Sequence, residues 1–138
     1  MTASEAILFA LSAAVPIAAV AIGKTPERLA ALIFVMAALS TIFSGHFWGY
    51  RNTGNLVLTI DGLMALSFLI LALRYNYLWT ALLMGSMSGV FAIHAYYSMT
   101  HRPLDRTFAL MSNMATLVAL LSLAIGVWTS RNRKDEWR

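Results

Sequence analysis

Cysteine is absent from this chain, and charged residues are scarce. Without cysteine there can be no disulfide, no zinc–thiolate or iron–sulfur centre, and no thiol redox site. Only 12% of the 138 residues are charged and 59% are hydrophobic, whereas a soluble domain is about 25% charged. A soluble fold of this length could not bury so much apolar surface, but a lipid bilayer accommodates it. The composition therefore predicts a single integral membrane domain over residues 1–138.

The sequence also lacks the common catalytic signatures. It contains no GxSxG, no HExxH, no P-loop and no dinucleotide-binding fingerprint. An enzyme is therefore not the favoured interpretation, although activity on a lipid headgroup stays open. The net charge of +4 comes from basic residues in loops and at the C-terminus. That placement is typical of membrane anchoring and does not indicate nucleic-acid binding.

Five apolar runs, separated by short polar breaks, predict five transmembrane helices. Each run is close to the roughly 17–25 residues that a helix needs to cross the hydrocarbon, and no segment alternates as a barrel strand does. The first run is kept as a span because residues 1–5 lack the basic region of a secretory signal. The fold class is thus an all-α membrane bundle of five helices, or of four if the first run does not span. The predicted spans are about 6–23, 29–50, 56–73, 78–99 and 107–129.

Polar residues between the runs predict helix ends and orientation. Thr25 is expected to cap the second helix and Asp105 the fifth. We term the side of the N-terminus side A and the opposite side B. Because cytoplasmic loops carry the excess of Lys and Arg, side B is predicted to be cytoplasmic and the N-terminus outside. Side B holds seven of the ten basic residues: Lys24, Arg28, Arg74, Arg131, Arg133, Lys134 and Arg138.

Few strongly polar residues lie inside the predicted spans: His46, Asp61, His94 and Asn113. His46 and His94 stand near the ends of helices two and four, while Asp61 and Asn113 stand near the starts of helices three and five. All of these helix ends are on side A. At a rise of about 1.5 Å per residue, the four side chains lie roughly 6–10 Å below that surface. The sequence therefore predicts a polar cluster in one leaflet, whether or not the first run spans.

An ionisable residue inside a membrane indicates a functional site, because burying its charge costs roughly 2.5–3.5 kcal/mol at a helix centre. Asp61 is therefore expected to pair with a histidine of a neighbouring helix. The cluster of His46, Asp61 and His94 is expected to bind, or to help transport, a small ligand, ion or proton. The competing interpretation is that hydrogen bonds among these side chains only hold the helices together.

Two kinds of cofactor suit the same residue types. His46, Asp61, His94 and His101 form a three-histidine, one-carboxylate set of the kind that binds zinc, copper or iron. Alternatively, His46 and His94 lie at similar depth on different helices, as the axial ligands of a b-type haem would. Neither the metal ion nor the haem is favoured over no cofactor.

A GxxxG motif in helix four, Gly85 to Gly89, predicts close packing against another helix. That helix could belong to this chain or to a second copy. The expected partners are thus the lipid bilayer and either a homo-oligomer or a larger membrane complex, in which the chain would be a structural or accessory subunit.

A family resemblance is carried by several short stretches: Thr25-Pro-Glu-Arg-Leu-Ala-Ala31, Ile60-Asp61, Leu71-Ala-Leu-Arg74, Leu78-Trp79 and His94. These stretches resemble a loose group of short, uncharacterised alphaproteobacterial multi-pass inner-membrane proteins. The resemblance covers most of residues 24–130. It implies a bacterial inner membrane and the same topology, and it carries no function.

Overall fold

The chain forms five α-helices and, in the part that the structure describes, no strand. The structure is a computed structural model that describes residues 3–48, 54–130 and 132. The predicted all-α class and the five helices are confirmed. Arg131, Arg133, Lys134 and Arg138 lie outside the described residues. The helices are α1 (Ala3–Ile22), α2 (Thr25–Trp48), α3 (Gly54–Tyr75), α4 (Leu78–Met99) and α5 (Arg106–Ser130).

Four of the helices are long and apolar enough to cross a membrane. These are α3, α4, α5 and the part of α2 from Thr25 to Ser44. In α1 the apolar stretch Ala6–Ile22 is shorter, and the helix continues through Pro16. The protein is therefore a helical membrane protein, as its composition predicted.

The start of α2 is set by a carboxylate, and the predicted capping role of Thr25 was wrong. The carbonyl of Lys24 accepts the first helical hydrogen bond, from the Arg28 N–H at 3.0 Å. Lys24 is therefore the N-cap residue, and its own N–H donates to Glu27 Oε2 at 2.9 Å. This is the backbone half of a capping box. It lets α2 begin at Thr25, ahead of the apolar run that starts near residue 29.

The five helices form a closed ring in which each helix contacts the next and α5 returns to α1. The closest α1–α2 packing lies near their connecting turn, where Ala19, Glu27, Ala30 and Ala31 are fully buried. Residues 6–15 of α1, in contrast, include no buried side chain. The ring is thus closely packed between α1 and α2 toward side B and more open between them toward side A.

The densest part of the core lies among α3, α4 and α5 toward side B. Phe68, Leu83 and Leu123 are fully buried there. The indole of Trp79 covers Gly126 so closely that a Cβ built at that glycine would lie 2.7 Å from the ring carbon Cδ2. This contact joins the start of α4 to the end of α5 and needs a glycine. The closest packing is thus toward side B, and side A is the less compact end of the bundle.

Candidate functional site

Asp61 and His94 meet in the contact between α3 and α4. Oδ2 of the carboxylate and Nδ1 of the imidazole are hydrogen-bonded. Both side chains are mostly buried, with 15% of Asp61 and 19% of His94 exposed. The neighbouring Gly62 lies against the Phe91 ring, whose Cε2 would be 3.1 Å from a Cβ at that position. The small residue beside Asp61 thus lets the two helices approach where the pair forms.

An aromatic contact with α5 holds the imidazole of His94 from the other side. The Phe108 ring stacks on it, with the ring centroids 4.9 Å apart and the planes inclined by 22°. Phe108 also contacts Tyr97 edge-on, at a centroid distance of 5.0 Å. The imidazole is therefore restrained by a carboxylate on α3 and a phenyl ring on α5.

Asp105 connects the ends of α4 and α5 above this contact. Its Oδ1 accepts hydrogen bonds from the Phe108 N–H at 2.8 Å and from the Tyr97 hydroxyl at 3.0 Å. The predicted N-cap role of Asp105 is confirmed. The hydrogen bond from the Phe108 N–H is the main reason why the pKa of Asp105 lies below its ordinary value. This cap fixes the first turn of α5 and, with it, the ring that covers His94.

A cavity of about 310 Å³ lies inside the ring of helices, and Asp61 is part of its wall. All five helices contribute to it. Most of the wall is apolar, and among the described residues Asp61 supplies its one acidic side chain. The other polar residues are Ser12, Thr41 and Thr116, and the apolar ones are Phe34, Val35, Ala37, Ala38, Leu39, Met64, Met87, Val90 and Leu120.

The structure does not bring the other predicted site residues to this pair. His46 is exposed and contacts Phe47 of its own helix edge-on, with the centroids 5.4 Å apart. Asn113 is also exposed, on α5. Both stand on the helices that the sequence predicted, and the side chain of each is exposed. Of the predicted ligand or proton site, Asp61 and His94 are thus the two residues that meet.

His101 has a local structural role. It has a positive φ of 49° and is exposed. The Arg102 N–H donates to the Tyr97 carbonyl at 3.2 Å, and the His101 N–H to that of Ser98 at 3.4 Å. These bonds and the left-handed residue form a Schellman motif that ends α4.

The predicted metal site of His46, Asp61, His94 and His101 is therefore not assembled. Among residues 3–48, 54–130 and 132, no three His, Asp or Glu side chains form a group that could hold a metal ion. The Asp61–His94 pair by itself supplies two ligands, fewer than the three or four that protein metal sites use. The pair is suited instead to holding a proton between a carboxylate and an imidazole.

The hydroxyl groups of the cavity and the aromatic support of His94 were not predicted from the sequence. The sequence does contain a signal for the aromatic support of His94. Phe108, Ser112, Thr116 and Leu120 recur every four residues and so share one face of α5. That face looks into the bundle, where Phe108 reaches His94 while Thr116 and Leu120 reach the cavity.

The two glycines of the GxxxG motif have open space beside them. A Cβ built at Gly85 or at Gly89 would meet no atom within 4 Å. No helix of the described chain packs against the motif, so the predicted packing partner is not found within it. Packing against a second chain stays a prediction.

Comparison of the chain with family models, with curated proteins and with solved structures gave no match.

Proposed function

We propose that this protein binds a small ligand within the membrane and helps it to enter or cross the bilayer. The binding site is the cavity inside the ring, and Asp61, which is hydrogen-bonded to His94, is the acidic group of its wall. Both residues belonged to the predicted ligand or proton site, and the cavity adds the space that a ligand needs. His46 and Asn113, which face outward, have no part in this site.

One observation carries the proposal: the carboxylate that pairs with His94 is also part of the wall of a 310 Å³ cavity. A hydrogen bond that served only to join α3 and α4 would gain most from apolar side chains packed tightly around it, since an open, polar cavity lowers packing density. Pockets for small molecules combine a mostly apolar wall with few, well-placed polar groups. The cavity next to Asp61 has this composition.

The membrane and the orientation are part of the proposal. The excess of Lys and Arg on side B supports an orientation with side B in the cytoplasm and the N-terminus outside. The resemblance to alphaproteobacterial inner-membrane proteins supports a bacterial inner membrane. The Asp61–His94 pair would then lie in the outer leaflet. A cysteine introduced at Asn132 would test this, because it should react with a membrane-impermeant maleimide only after the cytoplasmic side is opened. Reaction in intact cells would contradict the orientation.

The natural absence of cysteine makes the cavity directly testable. Thr116 is in the cavity wall, whereas Leu123, seven residues further along α5, is fully buried in the core. In lipid nanodiscs, Thr116→Cys should react with the small neutral reagent methyl methanethiosulfonate about tenfold faster or more than Leu123→Cys, which reacts only when the core opens. Equal rates would mean that the cavity is closed, and the proposed function would fail.

A second measurement addresses occupancy. Native mass spectrometry of the purified protein should detect a bound small molecule in the parent chain. The substitution Thr116→Leu should weaken or remove its binding, because the larger apolar side chain occupies part of the cavity, removes one hydroxyl and leaves Asp61 and His94 unchanged. Undiminished binding of the same molecule in Thr116→Leu would place it elsewhere and contradict the proposed site.

The exposed small-residue face of α4 favours a second candidate function, that of an accessory subunit in a larger membrane complex. Ala81, Gly85 and Ala92 lie exposed along that helix, and small residues let another transmembrane helix approach closely. A native mass above that of the monomer, lost in Gly85→Leu while the cavity stays accessible, would support this candidate. A monomer in both proteins would argue against it.

A further inference from the structure

The polar side chains of the described cavity wall can accept hydrogen bonds from a ligand but donate none into the cavity. Each of its three hydroxyl groups donates its proton to a carbonyl four residues earlier in its own helix. The bonds run from Ser12 to Leu8 (2.8 Å), from Thr41 to Ala37 (3.0 Å) and from Thr116 to Ser112 (2.9 Å). A hydroxyl has one proton to donate, so only oxygen lone pairs are left for a ligand.

Asp61 extends the same pattern. Its Oδ2 contacts His94 Nδ1, so the proton of that bond lies between these two atoms whichever of them carries it. Oδ1 is left as an acceptor without a hydrogen-bond partner among the described residues. Backbone donors are not available either, because every wall residue lies beyond the first four positions of its helix, where each N–H is bonded within the helix.

The apolar part of the wall is also suited to positive charge. The face of the Phe34 ring attracts cations through its quadrupole, and the thioethers of Met64 and Met87 are polarisable and adapt to an irregular ligand. The described wall contains no Lys, Arg or His. Nothing in it would therefore pair with an anion or donate to a carbonyl.

Exposed wall residues indicate how a ligand would enter. Ser12 of α1 and Val35, Ala38 and Leu39 of α2 line the cavity and are exposed at the flank of the bundle. This is the region where α1 and α2 are less closely packed. The flank faces lipid, so entry from the bilayer selects a molecule that partitions into the membrane.

From these observations, and resting on the proposed function of the cavity, we infer that the ligand is a small lipophilic organic cation, a protonated amine with an apolar body. Its N–H groups would donate to Asp61 Oδ1 and to the hydroxyl oxygens, and its body would contact Phe34 and the methionines. A quinone or another ligand whose only polar groups are acceptors would find no partner in this wall. A carboxylate or phosphate would be repelled by Asp61.

Three molecules of one shape test the inference: dicyclohexylamine, which is cationic at neutral pH, dicyclohexyl ketone, which only accepts hydrogen bonds, and apolar dicyclohexylmethane. Each is added to Thr116→Cys in nanodiscs before methyl methanethiosulfonate. The amine should slow labelling at a concentration about tenfold or more below that of the other two, the factor that corresponds to about 1.4 kcal/mol. Adding Asp61→Asn to Thr116→Cys should abolish this preference.

Two further variants serve as controls for the labelling experiment. Leu110→Cys, 62% exposed on the lipid-facing side of α5, reports the accumulation of the amine in the bilayer and should label equally with all three molecules. Thr41→Val removes one acceptor with little change of shape, so it should weaken protection by the amine and leave that by the ketone unchanged. Thr41→Val also tests the inference if the Asp61→Asn protein does not fold.

Equal protection by the amine and the ketone, with Thr116→Cys still more reactive than Leu123→Cys, would overturn the inference and leave the proposed function standing. If Thr116→Cys and Leu123→Cys reacted at equal rates, the cavity would be closed, and the proposed function would fail together with the inference. Retention of the preference for the amine in Asp61→Asn would show that the carboxylate is not its partner and would also overturn the inference.

Discussion

Nδ1 of His94 on α4 faces Oδ2 of Asp61 on α3, although the two residues are 33 positions apart in the chain. The contact joins a carboxylate and an imidazole in the interior of the side A half of the described chain. Each has a further neighbour: Phe108 covers the imidazole, and the cavity adjoins the carboxylate. Phe108 therefore supports the pair on one side, and the cavity adjoins it on the other.

The pair should contribute to stability as a coupled unit. Asp61→Asn and His94→Gln each disturb the hydrogen bond, and the double variant removes both partners. Because both groups are partly exposed, we expect a coupling free energy of about 1–2 kcal/mol from the double-mutant cycle, measured by denaturation in mixed micelles. Additive effects, with a coupling energy below about 0.5 kcal/mol, would show that the contact is energetically unimportant.

Two glycines on the same pair of helices should respond in opposite ways to alanine. At Gly126 the added Cβ would lie 2.7 Å from Trp79 Cδ2, so Gly126→Ala should cost about 1–3 kcal/mol in the free energy of unfolding. At Gly85 there is open space, so Gly85→Ala should be neutral or should stabilise by up to about 1 kcal/mol through reduced backbone entropy of the unfolded chain.

Thermal unfolding of the purified variants would measure both effects. Gly85→Ala is the matched control, because it makes the same chemical change in a helix of similar polarity. A loss of stability at Gly85 would indicate that a second chain covers this face. An unchanged Gly126→Ala protein would mean that Trp79 moves away without cost.

The number of helices and the alignment of Asp61 with His94 along neighbouring helices could be predicted, because both depend on distances along the chain. Apolar length gives the number of helices, and the fixed rise per residue aligns Asp61 with His94. The expected Thr25 cap placed the start of α2 within one residue of the observed one. The bond of Glu27 to the Lys24 N–H, which makes Lys24 the N-cap, was not predicted. Apolar content does not report such a cap.

The direction in which each helix faces could not be predicted, and this explains why His46 and Asn113 were grouped with the Asp61–His94 pair. A soluble helix reveals its inward face by its apolar stripe. Here the helices are apolar on most faces, because lipid as well as the core accepts such side chains, so hydrophobic periodicity does not report rotation. Position along the helices therefore predicted that four residues would lie together. The rotation of each helix brings Asp61 to His94 and leaves His46 and Asn113 exposed.

The Asp105 cap should make stability dependent on acid pH. Its pKa is lowered from the ordinary 3.8, chiefly by the Phe108 N–H hydrogen bond. A carboxyl group whose pKa is lower in the folded state stabilises fully above its unfolded pKa, and that contribution is lost as the pH falls through its folded pKa. The parent protein should therefore lose stability below about pH 4.

Comparison with Asp105→Asn isolates this contribution, since asparagine also caps helices but does not titrate in this range. Melting curves from pH 6 to pH 2, about the range in which a carboxyl group titrates, should fall more steeply for the parent than for the variant. Parallel curves would show that Asp105 does not contribute to the dependence. Asp105→Ala should be less stable than either protein at neutral pH.

His101 should be replaceable by glycine, which separates its backbone role from any ligand role. In the left-handed conformation at the end of α4, glycine pays no steric penalty from a Cβ, whereas a β-branched residue is strongly disfavoured. We expect His101→Gly to keep or raise the free energy of unfolding and His101→Val to lower it by about 1–2 kcal/mol. Asn76, with a φ of 47° after α3, offers a matched site where Asn76→Gly and Asn76→Val should rank in the same order. If His101→Gly destabilised the protein while Asn76→Gly did not, the imidazole itself would make an important contact, and a role of His101 in binding would have to be considered again.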